Sequence, residues 1–363
     1  MLFESCKNIL YKRGLILLAA VVVGGLAAVG AASVVGGRAA APPPVAAALP
    51  GGAPFDRVAR IVASTAKERA AGVQAARARA RKADPKPTVA PRATISLYEQ
   101  TVDRMTLRRQ GCAAARRGVG GIVILDFGKP SWNGSSYGTI LFSGSFAGNH
   151  AITRALYGYA YGYVRCSHGT TERITLARGT SNYHPGVPST YKAGIKWARE
   201  TNALGQMLAA HGLADRVTTA AADDVEPAWD RSFHRTRDFF RGYAAAAPGR
   251  LLYDYGSLDG GIGGIWSARQ AFFVAGGADY SRALPEIYNK AMAREWAALS
   301  QVARRRYHRP VQFAGVMTEY ASSNHGLKPR DAHRALVRQL AMQSGPAAAD
   351  VPAALTNITS AGY

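Results

Sequence analysis

The sequence predicts an α/β fold: a (β/α)8 TIM-barrel-like domain preceded by an N-terminal transmembrane or signal segment and a basic Ala/Pro-rich linker. Three observations predict it. Continuous β-branched and aliphatic runs alternate with segments of helical periodicity from about residue 95 onward, the pattern of a parallel sheet. Eight such runs can be read, the number that closes a barrel. The 363 residues are 48% hydrophobic and 19% charged, enough to bury a core of that size with an N-terminal third left over.

That N-terminal third divides in two. Residues 14–35 are an uninterrupted run of 22 apolar and small residues, long enough to cross a bilayer. Lys7, Lys12 and Arg13 precede it and no positive charge follows until Arg38, which sets the N-terminus in the cytoplasm and the rest outside. Residues 1–37 are therefore read as a signal peptide or transmembrane anchor, and the protein as exported to the extracellular face or cell envelope, membrane-anchored or secreted. The Ala-rich stretch around Ala39 to Ala41 leaves both cleavage and retention open. Cys6 precedes the apolar run, which argues against a lipid anchor. Residues 38–93 form the linker. Its RAAAPPPVAAALPGGAP stretch is a semi-rigid spacer. In residues 55–82, Phe55, Val58, Ile61 and Val62 recur at helical spacing before Arg77, Arg79, Arg81 and Lys82. A solvated stalk and a basic helix laid on an anionic envelope polymer or lipid both fit.

The formal charge of +22 suggests nucleic acid, but its distribution does not. Residues 1–120 hold 19 Lys/Arg against 6 Asp/Glu, and the basic segment 55–82 is read as exported and lacks aromatics interleaved with its charges for base stacking. No nucleic-acid partner is predicted.

The barrel is read over residues 94–345. Ile95, Tyr98, Val102 and Met105 fall at helical spacing and predict a helix closing one end. Strands are predicted at 122–126, 158–165, 173–178, 217–224, 250–255, 270–275, 284–288 and 311–318. Helices follow at 193–208, 232–246, 290–304 and 331–342, the last begun by Pro329. Residues 132–150 are too rich in Gly and Ser to assign, and the second repeat shows no helix. Residues 346–363 are read as a C-terminal tail. Cys112 and Cys166 lie in the exported part, where an oxidising compartment joins them as a disulfide or leaves two buried thiols. No CxxC, HExxH, P-loop or dinucleotide fingerprint is present, so neither a metal nor a cofactor is predicted.

In such a barrel the chemistry sits where strands end. Asp126, Asp224 with Glu226, Asp254 and Glu319 stand at or just past the ends of predicted strands. Residues i and i+2 of a strand share a face, so Asp224 and Glu226 face the lumen together, above the small Ala222 and Ala220. Two acids this close cannot both ionise freely, which makes one a proton donor. Protonating a glycosidic oxygen needs such a donor, with further carboxylates to steady positive charge or hold water. Trp132, Tyr183, Trp229, Tyr255 and Tyr288 lie near strand ends, where flat rings stack on sugars or serve as packing. The competing structural reading has Asp223, Asp224 and Glu226 cap the next helix or pair with Arg178. His184, near the rim, is read as structural.

The ordered motifs ILDFG (124–128), LARGTSN (176–182), DDVEPAWD (223–230), YDYGSLDG (253–260), PEIYN (285–289) and FAGVMTEY (313–320) resemble the glycoside-hydrolase-like barrels exported by actinobacteria. These are similar in arrangement to the family-25 lysozymes. The resemblance spans residues 111–343. It implies a barrel with an acidic pocket and a cell-wall polysaccharide, peptidoglycan or a related glycan, as substrate. An Asp ends the first strand of those lysozymes and an Asp-x-Glu ends the fourth, which implies Asp126, Asp224 and Glu226 as catalytic residues with Glu226 the donor. Asp254, Trp229, Tyr255, Asn182, Tyr288 and Glu319 are the residues assigned to substrate binding. Two other functions compete: a non-catalytic glycan-binding barrel, and a structural envelope protein held by its basic linker.

Overall fold

Gly121–Asp126 is buried from its second residue to its last, as a strand covered on both faces should be. The computed structural model describes residues 92–320, 326–343 and 351–360. The putting together of its elements begins with β1 (Thr94–Tyr98), α1 (Arg104–Arg116) and this strand, β2 (Gly121–Asp126). A small antiparallel sheet follows, β3 (Lys129–Trp132), β4 (Tyr137–Ile140) and β5 (Phe146–Gly148), then α2 (Asn149–Cys166). Next come β6 (Ile174–Ser181), α3 (Thr190–Ala210), β7 (Val217–Asp224), α4 (Phe233–Ala246) and β8 (Leu252–Asp254). The rest is α5 (Ala268–Phe272), a π-helical turn (Phe273–Gly277), β9 (Ser281–Ala283), α6 (Lys290–Tyr307), β10 (Val316–Thr318), α7 (Pro329–Ala341) and β11 (Leu355–Ser360).

The main sheet has eight strands in the order β10-β11-β1-β2-β6-β7-β8-β9, every neighbouring pair parallel. It curls until its edges meet. Ala283 bridges to Phe313 and Glu286 to Met317, and the Ile287 N–H donates to the Met317 carbonyl at 2.9 Å. The architecture is TIM-like, α/β with helices outside a curled parallel sheet. Alternation sorts its side chains. Ile122, Ile124, Ala177, Ala220, Ala222, Tyr253, Tyr255, Leu284, Met317 and Ile358 fill the lumen. Val123, Leu125, Leu176 and Ala221 pack outward among the helices.

Two neighbouring helix pairs touch backbone to backbone. A Cβ on Gly111 would lie 2.0 Å from the Tyr159 carbonyl oxygen, and one on Gly162 2.0 Å from that of Arg108. Gly194 and Gly242 do the same for α3 and α4, against Phe239 and Tyr191. Beside Gly111, Cys112 forms a disulfide with Cys166 across α1 and α2.

Several expectations need correction. The helix expected from Ile95 is β1 followed by α1, whose start is fixed by the Asp103 carboxylate accepting the Thr106 N–H at 2.7 Å. Residues 158–165 belong to α2. Their alternating tyrosines imitate a strand, whereas Leu156, Tyr159, Ala160 and Tyr163 are the buried stripe of a helix. Residues 270–275 run from α5 into the π turn, and the Ser267–Gln270 capping box is the helix signal there. Part of the expected C-terminal tail is β11, with Thr356 and Ile358 buried. The apolar run 14–35 and the linker up to residue 91 lie outside the described residues. Among the described residues no helix is long and apolar enough to cross a membrane.

Candidate active site

The mouth at the C-terminal ends of the strands is built by alternation from the luminal residues below. On β7, Ala220 and Ala222 line the lumen, so Asp224 continues the same face, and Glu226 follows two residues on. On β2, Ile122 and Ile124 bring Asp126 to the same face, in register with Tyr98 of β1. Past β9, Leu284 faces in and is followed by Glu286 and Tyr288. Past β10, Met317 is followed by Glu319. Asp126, Asp224, Glu286 and Glu319 are all buried, while Glu226 is partly exposed.

Asp224, Glu226 and Glu286 form the tightest group: one carboxylate oxygen from each lies within 4.8 Å of the other two. Like charges this close favour sharing a proton or a cation. The set offers only hard oxygen donors, so it could hold a divalent cation of the magnesium or calcium kind.

Three phenols wall this group. Tyr98 donates to Glu319 Oε1 at 2.5 Å. Burial first, then the negative charges of Glu319, Glu286 and Asp224 among others, holds its hydroxyl well above the ordinary tyrosine value. Tyr255 donates to the Thr180 carbonyl at 3.1 Å, and burial with the charges of Asp126 and Asp224 raises it in the same way. Tyr288 is raised by burial and by Glu286 and Glu319. Phe142, from the small sheet, packs on the Tyr98 ring at 4.9 Å.

Glu226 is held by its backbone. Its N–H donates to Asn182 Oδ1 at 3.0 Å, and Asn182 Nδ2 donates back to its carbonyl at 3.1 Å. The Asn182 N–H donates to the Asp224 carbonyl at 3.0 Å, so one residue just past β6 fixes both members of the Asp-x-Glu. The same amide lies 3.3 Å from Thr236 Oγ1.

The expected site residues thus sort as follows. Asp126, Asp224, Glu226, Tyr288 and Glu319 converge on the mouth. Asp126 ends the second strand, since β1 precedes it, and the first strand ends in Tyr98 and Glu99. The Asp-x-Glu does end the fourth. Asp254 lies between the luminal Tyr253 and Tyr255 and so turns to the outer face, where burial pushes it up to about 8 against a hydrogen bond from the Gly256 N–H. Tyr255 is wholly buried wall rather than a stacking surface, and the Asn182 side chain is committed to Glu226. Trp229 stays at the rim, partly exposed and edge-on to Tyr183 at 5.5 Å. The structural alternative loses its partners: Ser232 is the N-cap of α4, and Arg178 points outward, bonding Thr153 at 2.8 Å and lying 4.0 Å above the Trp197 ring. Asp223 also points outward, into a small cavity with Asn182, Arg235 and Thr236.

Sequence reasoning missed Glu286 and Tyr98. Glu286 stands two residues before Tyr288, so alternation alone would have placed it. Tyr98 was hidden by the helical reading of its segment.

No family model matches the sequence, and no curated protein matches it. Among solved structures, one assigned to the mandelate racemase/muconate lactonizing enzymes, from Labrenzia alexandrii DFL-11, is similar at 12% identity and a TM-score of 0.31, covering 64% of this chain. The chain spans 56% of that structure's length, and a likeness this loose carries no argument about the site.

Proposed function

We propose that the domain is an exported glycoside-hydrolase-like barrel that cleaves cell-envelope polysaccharide by carboxylate acid/base chemistry. One observation carries the reading: the 4.8 Å grouping of Asp224, Glu226 and Glu286 at the mouth of the lumen, with Glu226 its most accessible member. In this mechanism Glu226 gives its proton to the glycosidic oxygen. Asp224 keeps that proton on Glu226 by its own negative charge, orients the donor, or assists a substrate amide. Asp126 holds water or a sugar hydroxyl. The departing alcohol carries the proton away, and Glu226 recovers one from the water that completes hydrolysis.

The test is release of soluble fragments from purified cell-wall glycan by the full chain and by Glu226→Gln, across the acid to neutral range. Release by the parent and its loss in the variant supports the mechanism; equal release by both overturns it. A second reading, a glycan-binding barrel without turnover, is favoured by the edge-on Trp229–Tyr183 pair at the rim, which presents aromatic surface independent of the acids. Co-sedimentation of both proteins with the wall, without fragment release from either, selects it.

A further inference from the structure

The two ends of the barrel carry their charge differently. Segments leading from strand to helix carry the acids of the mouth, Asp126, Asp224, Glu226, Asp259, Glu286 and Glu319, all buried or half-buried, with exposed Arg104, Lys192, Arg231, Lys290 and Lys328 around them. Segments leading from helix to strand, at the opposite end, are rich in arginine. Arg116 and Arg165 stand exposed in the last turns of α1 and α2, and exposed Arg173 precedes β6. Across the base, Arg305 and Arg306 are exposed in the last turn of α6. Among the described residues the acids interspersed there are few, Glu172, Asp215 and Asp279, the last paired with Arg309 at 3.1 Å. The chain also enters at this end, through exposed Arg92 just before β1.

We propose that this arginine-rich base is a docking surface for an anionic lipid bilayer, which holds the barrel with its mouth turned away from the membrane. Cations close to an anionic leaflet are attracted within about a Debye length, and the base gathers the exposed arginines with few acids to offset them, so the base is the end drawn to the leaflet. A lipid surface is the occupant the chain favours. Residues 14–35 are long and apolar enough to cross a bilayer, and the polypeptide running from them reaches the barrel at its base. The linker arginines attract the same surface but carry no orientation. The ring around the base does.

The experiment uses the full chain with Cys6→Ser and one added cysteine, at Ala214 on the base or Ser143 by the mouth, both exposed positions. Each is labelled with a fluorophore and mixed with phosphatidylcholine vesicles, with or without phosphatidylglycerol, that carry a quencher on a headgroup. Docking predicts quenching at Ala214→Cys and not at Ser143→Cys, only with phosphatidylglycerol, and its loss in high salt. Each arginine near the leaflet strengthens adsorption about fivefold, so replacing Arg116, Arg173, Arg305 and Arg306 together by Gln weakens it on the order of several hundredfold. The fourfold Glu variant weakens it further. Because cations in a last helical turn also steady the helix, the Gln variant is the one to rely on where the Glu variant melts early. Equal quenching at both labels, quenching at Ala214→Cys that ignores phosphatidylglycerol, or unchanged quenching there in the folded Gln variant, whose apolar segment and linker are unchanged, overturns the proposal. Adsorption to neither vesicle also overturns it.

Discussion

Stability should fall as pH rises, and Asp254 should carry a measurable share of the fall. Burial pushes its carboxyl up to about 8 in the folded protein, with the charge of Glu286 adding to the rise. In the unfolded chain an aspartate titrates near its ordinary value of about 3.9. The folded state therefore holds the proton more tightly. Its stabilising contribution is complete below the unfolded value and is lost as pH climbs through about 8. Between those limits one group changes stability by about 1.4 kcal/mol per pH unit. Glu99, also pushed up to about 8 by burial, adds a slope of the same sign. Asp254→Asn keeps the shape and the acceptor for the Gly256 N–H while removing the titration. The assay is urea unfolding of parent and variant, disulfide intact, at several values between about pH 5 and 8. The variant should show a shallower decline, by up to about 1.4 kcal/mol per pH unit, and should overtake the parent at the alkaline end. Identical slopes would refute the claim that this carboxyl is folded in its protonated form.

Other outcomes follow from contacts already described. Gly162→Val should separate α1 from α2 and cost at least about 1–3 kcal/mol in urea unfolding, because even a Cβ there meets the Arg108 carbonyl. Cys112→Ser with Cys166→Ser, opening a loop with a sequence separation of 54, should cost about 4 kcal/mol by the same measurement. Asn182→Ala frees both backbone groups of Glu226, and should lower fragment release roughly a hundredfold while leaving co-sedimentation with the wall unchanged.

The strands most legible in the sequence are those whose burial is two-sided and apolar: β2, and β7 with its run of alanines beneath the acids. The alternation that put Asp224 and Glu226 together needed only the strand and its direction. Elements built from polar or small residues were harder to see. In β11, Leu355–Ser360, Thr356 and Ser360 share the luminal face with Ile358 where an apolar run would have announced a strand. In α2, glycines at 158 and 162 sit where close approach to α1 requires them, and that requirement is visible only once the partner helix is known. The expected count of eight strands survived because two helices read as strands offset β1 and β11. The same offset moved Asp126 from the second strand to the first and hid Tyr98. Asp254 was misplaced for a narrower reason: standing at a strand end says nothing of which face a side chain takes, and the neighbouring tyrosines decide it.

The placement of β11 between β10 and β1 makes the barrel a ring whose clasp is its last-made strand. Everything from Thr94 to Ala341 can be synthesised while two strand edges, those of β10 and β1, still await their shared neighbour. Until residues 355–360 arrive, those edges are open to pairing with another chain, and a clip between α7 and β11 would reopen them. Residues 355–360 thus decide whether the eight strands make a closed ring or a sticky open sheet.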